Sequence, residues 1–431
     1  MGNRGASIRA QLSAAACLLF ASGIPAVAAA DSGATTQLDA SLLIYGEQGR
    51  TQVTEPTVRV TRILPDGQSL SGQLAIDVIT GATPSGALPS GVIPPGSPSG
   101  GEEVHAVTAA SGGGGGGGSA EDPGQIPVTS FKDTRVAADA SWLKPFGIIT
   151  PVVGGHFSRE RDYQSVGANG KLSVDLMHHL TTLAVGGWIN RDNVFPTGGT
   201  HLPLSDSTIV IGTEWNPKDV NAGLVGISQV LTRRWLLGVT GSRSVEKGYL
   251  TDPYKVVSLM DPVTGITVGQ VTENRPSTRD RRDVLTSMVY HLTRDVVYLS
   301  HRYYWDDWGV TSNAIDLKYR HELQDSMFIQ PHLRYYAQGA ADFFRFGLTQ
   351  GAPLPQYVSS DERLGPLHTA TLGAMLGFKL RDKPGEWTIR AEYIRQSGHG
   401  YPDYVVGVQQ QFDLFPPVDI GSLVVGYTIA F

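Results

Sequence analysis

Apolar and polar residues alternate with a period of two in several segments of this chain. In the segment 419–431, Leu423, Val425, Tyr427, Ile429 and Phe431 share one face, and Ser422, Val424, Gly426, Thr428 and Ala430 share the other. Successive side chains of a strand point to opposite sides of its sheet, so this period predicts a strand with one apolar face. The same pattern sets Leu70, Gly72, Leu74, Ile76 and Val78 against Ser71, Gln73, Ala75 and Asp77. It sets Ile315, Leu317, Tyr319 and Leu323 against Asp316, Lys318, Arg320 and Glu322. Sixteen strands are predicted, at 35–46, 52–63, 68–80, 132–144, 148–158, 162–176, 180–190, 221–231, 235–246, 282–293, 296–306, 311–323, 327–339, 367–380, 386–397 and 419–431. Pro56 interrupts the second, because proline has no amide to give the ladder.

The connections segregate by length. Every second one is short: LPDGQ (64–68), KPFG (144–147), MHH (177–179), TRRW (232–235), TRD (293–295), LQDS (323–326) and RDKPGE (381–386). All the long ones fall between them, at 81–131, 191–220, 247–281, 340–366 and 398–418. A soluble sandwich has no reason to sort its loops this way. A transmembrane barrel does, with short periplasmic turns, longer extracellular loops and an even strand number. In hydrocarbon every backbone group needs a partner, and a closed sheet supplies one without leaving an edge. The predicted fold class is therefore all-β: a transmembrane antiparallel β-barrel of about 16 strands. Trp142, Trp188, Trp235, Tyr290, Tyr303, Trp305, Trp387 and Tyr427 fall near predicted strand ends, as interfacial girdles require.

The two ends support an envelope location. Met1–Ala30 carries Arg4 and Arg9, an apolar run from Leu12 to Ile24, Pro25 and an A-x-A site, the pattern of a secretory signal peptide. Cys17, the one cysteine, lies inside that run. Beyond the leader there is thus no thiol for disulfides or cysteine metal sites. The last strand, with Tyr427, Ile429 and Phe431 at alternate positions, resembles the signal of outer-membrane barrels read by the barrel-assembly machinery. Outer-membrane lipid and, during insertion, that machinery are the partners this implies. The formal charge of −6 argues against nucleic acid as a partner. The segment 81–131 is rich in Pro and Gly and contains seven consecutive glycines, Gly112–Gly118. It reads as a mobile extracellular loop, with folding into the lumen as the alternative. A phosphate cradle would need a following helix and Lys-Ser/Thr, and neither is present.

FKDTR (131–135), GYLTDPYK (248–255), RPSTR (275–279), YYWDDWG (303–309), PHLRYY (331–336), ADFFR (341–345) and AEYIRQSG (391–398) occur in this order. With DVITGATPSGA (77–87), they resemble a bacterial family of unknown function, number 3570 in the domain-of-unknown-function series. The resemblance covers essentially the whole chain after the leader; the seven-glycine insert departs from it. It implies an outer-membrane-like barrel with no established activity, in an envelope setting of flavin-attaching enzymes and small lipoproteins. A lipoprotein or redox partner is implied on that ground alone.

Those segments gather at the long-loop end and bring Asp133, Arg135, Asp252, Lys255, Arg275, Arg279, Asp306, Asp307, Asp342 and Arg345 toward one rim. Charge of both signs at a pore mouth can focus ions or orient a solute, or it can pair internally and knit the loops together. By parity Asp77, Asp139, Arg302, Asp316, Lys318, Arg320, Glu322, Arg334, Arg390 and Glu392 face the lumen. Arg320, Arg334 and Arg390 suggest a basic ladder there. His156, His291, His301 and His332 have no partner at a telling spacing, and no H-x-H or H-E-x-x-H occurs. Asp306-Asp307 with Asp361-Glu362 offers oxygen ligands for Ca²⁺, although acidic turns are commonly just solvated. No catalytic residue, metal site or cofactor is assigned, and the chain reads as a non-enzyme. Two functions follow: a porin-like channel for small hydrophilic solutes, or a scaffold that holds a lipoprotein or redox partner in the outer membrane.

Overall fold

The computed structural model describes residues 34–90, 124–381 and 383–431. The predicted signal peptide and residues 91–123 of the Gly/Pro-rich loop lie outside the described residues. The strands are β1 (Thr35–Glu47), β2 (Gln52–Ile63), β3 (Ser69–Pro84), β4 (Val128–Leu143), β5 (Ile149–Arg159), β6 (Tyr163–Leu176), β7 (Thr181–Val194), β8 (Thr200–His201), β9 (Val210–Gly212), β10 (Asn216–Thr232) and β11 (Trp235–Gly248). There follow β12 (Val256–Met260), β13 (Thr267–Thr272), β14 (Thr278–His291), β15 (Val296–Asp306), β16 (Thr311–Gln324), β17 (Met327–Gln338), β18 (Gly347–Thr349), β19 (Leu367–Phe378), β20 (Glu386–Gly398) and β21 (Val418–Ala430). All sixteen predicted strands are present, and they close one antiparallel barrel in the order β1-β2-β3-β4-β5-β6-β7-β10-β11-β14-β15-β16-β17-β19-β20-β21. The other five lie within long loops, as a β13-β12-β18 sheet and a β8-β9 ribbon.

Closure is made by β1 on β21, with Leu42 opposite Val425 and Ile44 opposite Leu423. The face seen in the last strand therefore continues into the first. It runs around the whole wall, because each barrel strand leaves at least one large apolar residue exposed, from Leu42, Val58, Leu74 and Val136 to Leu372, Ile389 and Leu423. Val225 is 64% exposed and Leu372 62%. Burying each such side chain is worth about 1.5–3 kcal/mol, so a wall that presents so many is built for hydrocarbon, not water. The opposite parity carries the polar set, with Asp77, Asp139, Arg302, Asp316, Lys318, Arg334, Arg390 and Glu392 on the inner face.

Three details differ from the sequence reading. The loop-end halves of several strands are longer: β3 runs to Pro84, β4 starts at Val128, β10 at Asn216 and β14 at Thr278. The apolar period fades there, but the ladder continues, as in Gly81 opposite Phe131 and Lys218 opposite Gly248. Above the lipid, pairing no longer needs an apolar face. Trp188 leaves the girdle set: β7 runs on to Val194, so Trp188 sits within the strand on the inner face, opposite Asn169 and Ala222. Pro56 stays in β2 opposite Leu42, and the β2–β3 register is the same on both sides of it, from Thr54–Val78 to Thr57–Ala75.

Girdle pairs form at the turn end. Trp235 and Tyr290 pack edge-on at 5.2 Å, and Trp387 and Tyr427 lie 4.7 Å apart. Tyr303 and Trp305 stack at 5.5 Å toward the loop end.

An arginine on the closing strand tests which side faces lipid. Val425→Arg should cost roughly 2–4 kcal/mol near the midplane and abolish the folded, heat-modifiable band on gels. Normal insertion of this variant would show that Val425 does not face hydrocarbon.

Candidate functional site at the loop end

The long loops bond to one another across the mouth. β12, between β11 and β14, pairs in parallel with β18, between β17 and β19, with Ser258 opposite Gly347. In the ring, β15 and β16 stand between these two loops. The loop after β3 reaches the same sheet from across β5, β6, β7 and β10: Val256 N donates to Ser85 O at 3.0 Å, and Leu88 N to Ser258 Oγ at 2.9 Å. The approach is close enough that a Cβ on Gly86, whose φ is +87°, would lie 2.5 Å from Val256 O. The loop between β20 and β21 joins through Val408 N to Thr264 O at 2.9 Å. Among them lies a hydrophobic cluster of Leu88, Met260, Trp308, Val310, Ala341, Phe344, Phe346, Leu364, Val405, Leu414 and Phe415. These loops form a cap with a core of its own.

An ionic hub anchors the cap. Asp361, 1% exposed, accepts from Arg275 and Arg363, each at 2.8 Å, and stands 3.8 Å from Lys255. Arg363 also reaches Asp252 at 2.7 Å, and Arg275 reaches Glu273 at 2.6 Å. Arg50, in the turn between β1 and β2, binds Glu362 at 2.8 Å. Burial alone would raise the Asp361 pKa, but Arg363, Lys255 and Arg275 outweigh it and hold the carboxylate well below its usual range. For Glu273 burial wins over Arg275, and Asp252 and Asp361 add to it, so its pKa rises.

Beside the hub, under the cap, is a pocket of about 120 Å³, partly open to solvent. Lys218, Arg275, Arg279, Arg281 and Arg363 line it with Asp162, Glu246 and Asp252, and Tyr163, Tyr249, Tyr254 and Trp308 add aromatic wall. Its charges are partly tied down. Arg281 binds Glu246 at 2.9 Å, and Arg279 binds Asp306 at 2.8 Å with its guanidinium 4.3 Å over Trp308.

Lower on the inner wall a row crosses β16, β17 and β20. His332 holds Asp316 on one ring nitrogen and Glu392 on the other, both at 2.8 Å. Lys318 stands 3.4 Å and Arg334 3.6 Å from Asp316, and Arg390 3.8 Å from Glu392. His332 reaches over β19 at Gly373, where a Cβ would lie 2.5 Å from Glu392 Cγ. Arg302 pairs with Asp283 at 3.0 Å, and Asp139 with His156 at 2.7 Å. Arg320 pairs with Glu322 at 2.6 Å and covers Phe328 at the turn end. The three arginines thus do not form a free basic ladder; each has an acid.

Of the rim candidates, Asp252, Lys255, Arg275, Arg279 and Asp306 meet at the hub and pocket. Asp133 and Arg135 lie instead with Asp77, Glu160 and Asp162 on the inner face of β3–β5 and the following turn, and of these Asp162 reaches the pocket wall. Asp307 caps Asp280 N at 2.9 Å, Asp342 N binds Trp308 O at 2.9 Å, and Arg345 lies 5.5 Å from the Tyr404 ring. The acidic turns read as Ca²⁺ candidates are committed elsewhere: Asp306 to Arg279 and Tyr304, Asp361 and Glu362 to arginines. Sequence patterns did not single out Glu246, Glu273, Arg281 or Arg363: Glu246 and Arg281 meet across neighbouring strands, and Arg363 meets Asp252 from another loop. The crowded string SSDERLG (359–365) was a visible sign of Arg363 alone.

A closed barrel with an apolar belt, a polar inner wall and an ion-paired cap defines a membrane-barrel class of protein. The chain belongs to the family described as protein of unknown function (DUF3570), whose sequence profile matches residues 9–429. No curated protein matches it. Among solved structures it is similar to CdiB from Acinetobacter baumannii, at 10% identity and TM-score 0.43, over 91% of this chain and 60% of that one. It is also similar to the outer membrane protein opdK from Pseudomonas aeruginosa, at 8% identity and TM-score 0.39, over 92% and 99% of the two chains. A TodX monoaromatic hydrocarbon channel mutant matches at 11% identity and TM-score 0.38, over 95% and 93%. The chain spans 60% of the length of CdiB. Likeness this distant transfers no function.

Removing the hub's acid should loosen the cap. Asp361→Asn leaves Arg275, Arg363 and Lys255 without their shared counter-charge, at a cost of roughly 3–5 kcal/mol. Trypsin should then cut the folded barrel at loop residues 249–277 and 339–366 that are protected in the wild type. Unchanged protection would show that the apolar cluster holds the cap alone.

Proposed function

We propose that this chain is a non-enzymatic outer-membrane barrel that passes small hydrophilic solutes through a mouth closed by its own cap. On this reading the loop end faces the outside and the turn end the periplasm, as the length asymmetry of the connections favours. The observation that carries it is the charged inner wall, with the Lys318–Asp316–His332–Glu392–Arg390 row lying behind a mainly apolar exterior. A solvated lumen repays such a row, whereas a dry barrel would pay to desolvate it. The pocket under the cap, with more cations than acids on its wall, favours anionic or polyhydroxylated solutes at entry.

Planar-bilayer recording of the purified protein tests this. Wild-type conductance should be small or intermittent, and Asp361→Asn should raise the open fraction at the same voltage. Electrical silence of both proteins at every voltage ends the channel reading. A second reading draws on the cap itself, since a mouth closed by a packed core also suits a scaffold. On that reading crosslinking in native membranes captures a lipoprotein or redox partner, and a clean blank counts against it.

A further inference from the structure

Away from the ionic hub, three acids converge where β4 meets the turn after β5. One carboxylate oxygen each from Asp133, Glu160 and Asp162 lies within 4.8 Å of the others. The residues are only 6%, 5% and 2% exposed. Packing three carboxylates together away from water is costly unless something of opposite charge sits among them.

The neighbouring protein groups do not supply that charge in full. Arg135 stands 3.4 Å from Asp77 and 3.9 Å from Glu160, beyond hydrogen-bonding reach of the latter, and its Nε has no hydrogen-bond partner. Arg161 gives Asp133 a backbone N–H and some charge, and Thr134 N donates to Asp133 Oδ1 at 2.7 Å. Tyr254 Oη donates to Asp162 Oδ2 at 2.6 Å. One oxygen of each acid is left buried with no partner: Asp133 Oδ2, Glu160 Oε2 and Asp162 Oδ1.

We propose that Asp133, Glu160 and Asp162 form a binding site for a hard divalent cation, with Ca²⁺ as the ion tested. Ca²⁺ takes oxygen ligands, carboxylates among them, in flexible geometry, whereas Mg²⁺ demands a near-ideal octahedron and gives up its waters reluctantly. An all-carboxylate set without sulfur or imidazole also selects against zinc and copper. The cation supplies the missing charge and fills the three orphan acceptor positions together. It also fastens the barrel rim to the cap, because Tyr254 belongs to the loop between β11 and β14, bonds Asp162, and accepts from Thr197 N at 2.8 Å.

The test is Ca²⁺ binding to the purified, folded full-length barrel, by calorimetry after EDTA treatment. The wild type should bind one Ca²⁺ saturably in the presence of excess Na⁺, and Glu160→Gln should lose that binding. Thermal unfolding gives a second readout. In EDTA, Glu160→Gln should melt no lower than the wild type, since it removes a like charge. In Ca²⁺ only the wild type should gain stability. If Glu160→Gln fails to fold, Tb³⁺ on the wild type decides: tyrosine-sensitised emission displaced by Ca²⁺ supports the site, and its absence overturns it. A wild type with no saturable binding, or a variant that binds equally, also overturns it, and leaves shared protons as what neutralises the three acids.

Discussion

Everything in this molecule depends on the requirement that a backbone in hydrocarbon leave no amide or carbonyl unpaired. A single strand cannot meet it, and an open sheet leaves two edges. Pairing β1 with β21 removes both. Once the ring is closed, strict alternation follows, because every residue must face either lipid or lumen. The apolar belt and the charged inner row are the two outcomes of that one constraint.

The lumen then imposes its own condition. Charges on the inner face pair partly along one strand, as Lys318 with Asp316, Arg320 with Glu322 and Arg390 with Glu392, and partly across the ladder, as Arg302 with Asp283. The cross-strand partners are set by register, not by spacing along the chain. His332 meets Asp316 from the neighbouring strand and Glu392 from beyond β19, and the second contact exists because Gly373 leaves room. Isolated pairs of this kind contribute little to stability. A connected row fixes side-chain positions and sets the field inside the lumen.

This explains what could be read from the chain and what could not. The barrel strands were visible because lipid on one side and water on the other write a period of two into the residues, as in Leu423 to Phe431. Where lipid ends the period ends, so the outer parts of β3, β4, β10 and β14 went unseen, and Trp188 was placed at a strand end it does not occupy. The cap was invisible as a unit. Its contacts join Leu88 to Ser258, Arg50 to Glu362 and Val408 to Thr264, pairings that leave no periodic trace. The rim charges were found by their density, but which of them meet was decided by loops that fold across the mouth. Glu160 and Asp162 were missed because a three-residue turn between strands looks like mere punctuation.

The cap's core has a bearing on how the protein is made. Its residues run from Leu88 to Phe415, nearly the length of the barrel, and come from loops anchored on opposite parts of the ring. Contacts so distant in sequence carry a large loop-closure cost until the strands between them are already in place. The cap therefore forms after the ring, when the ends of the chain have met. A packed cap is in this sense a certificate of completed assembly.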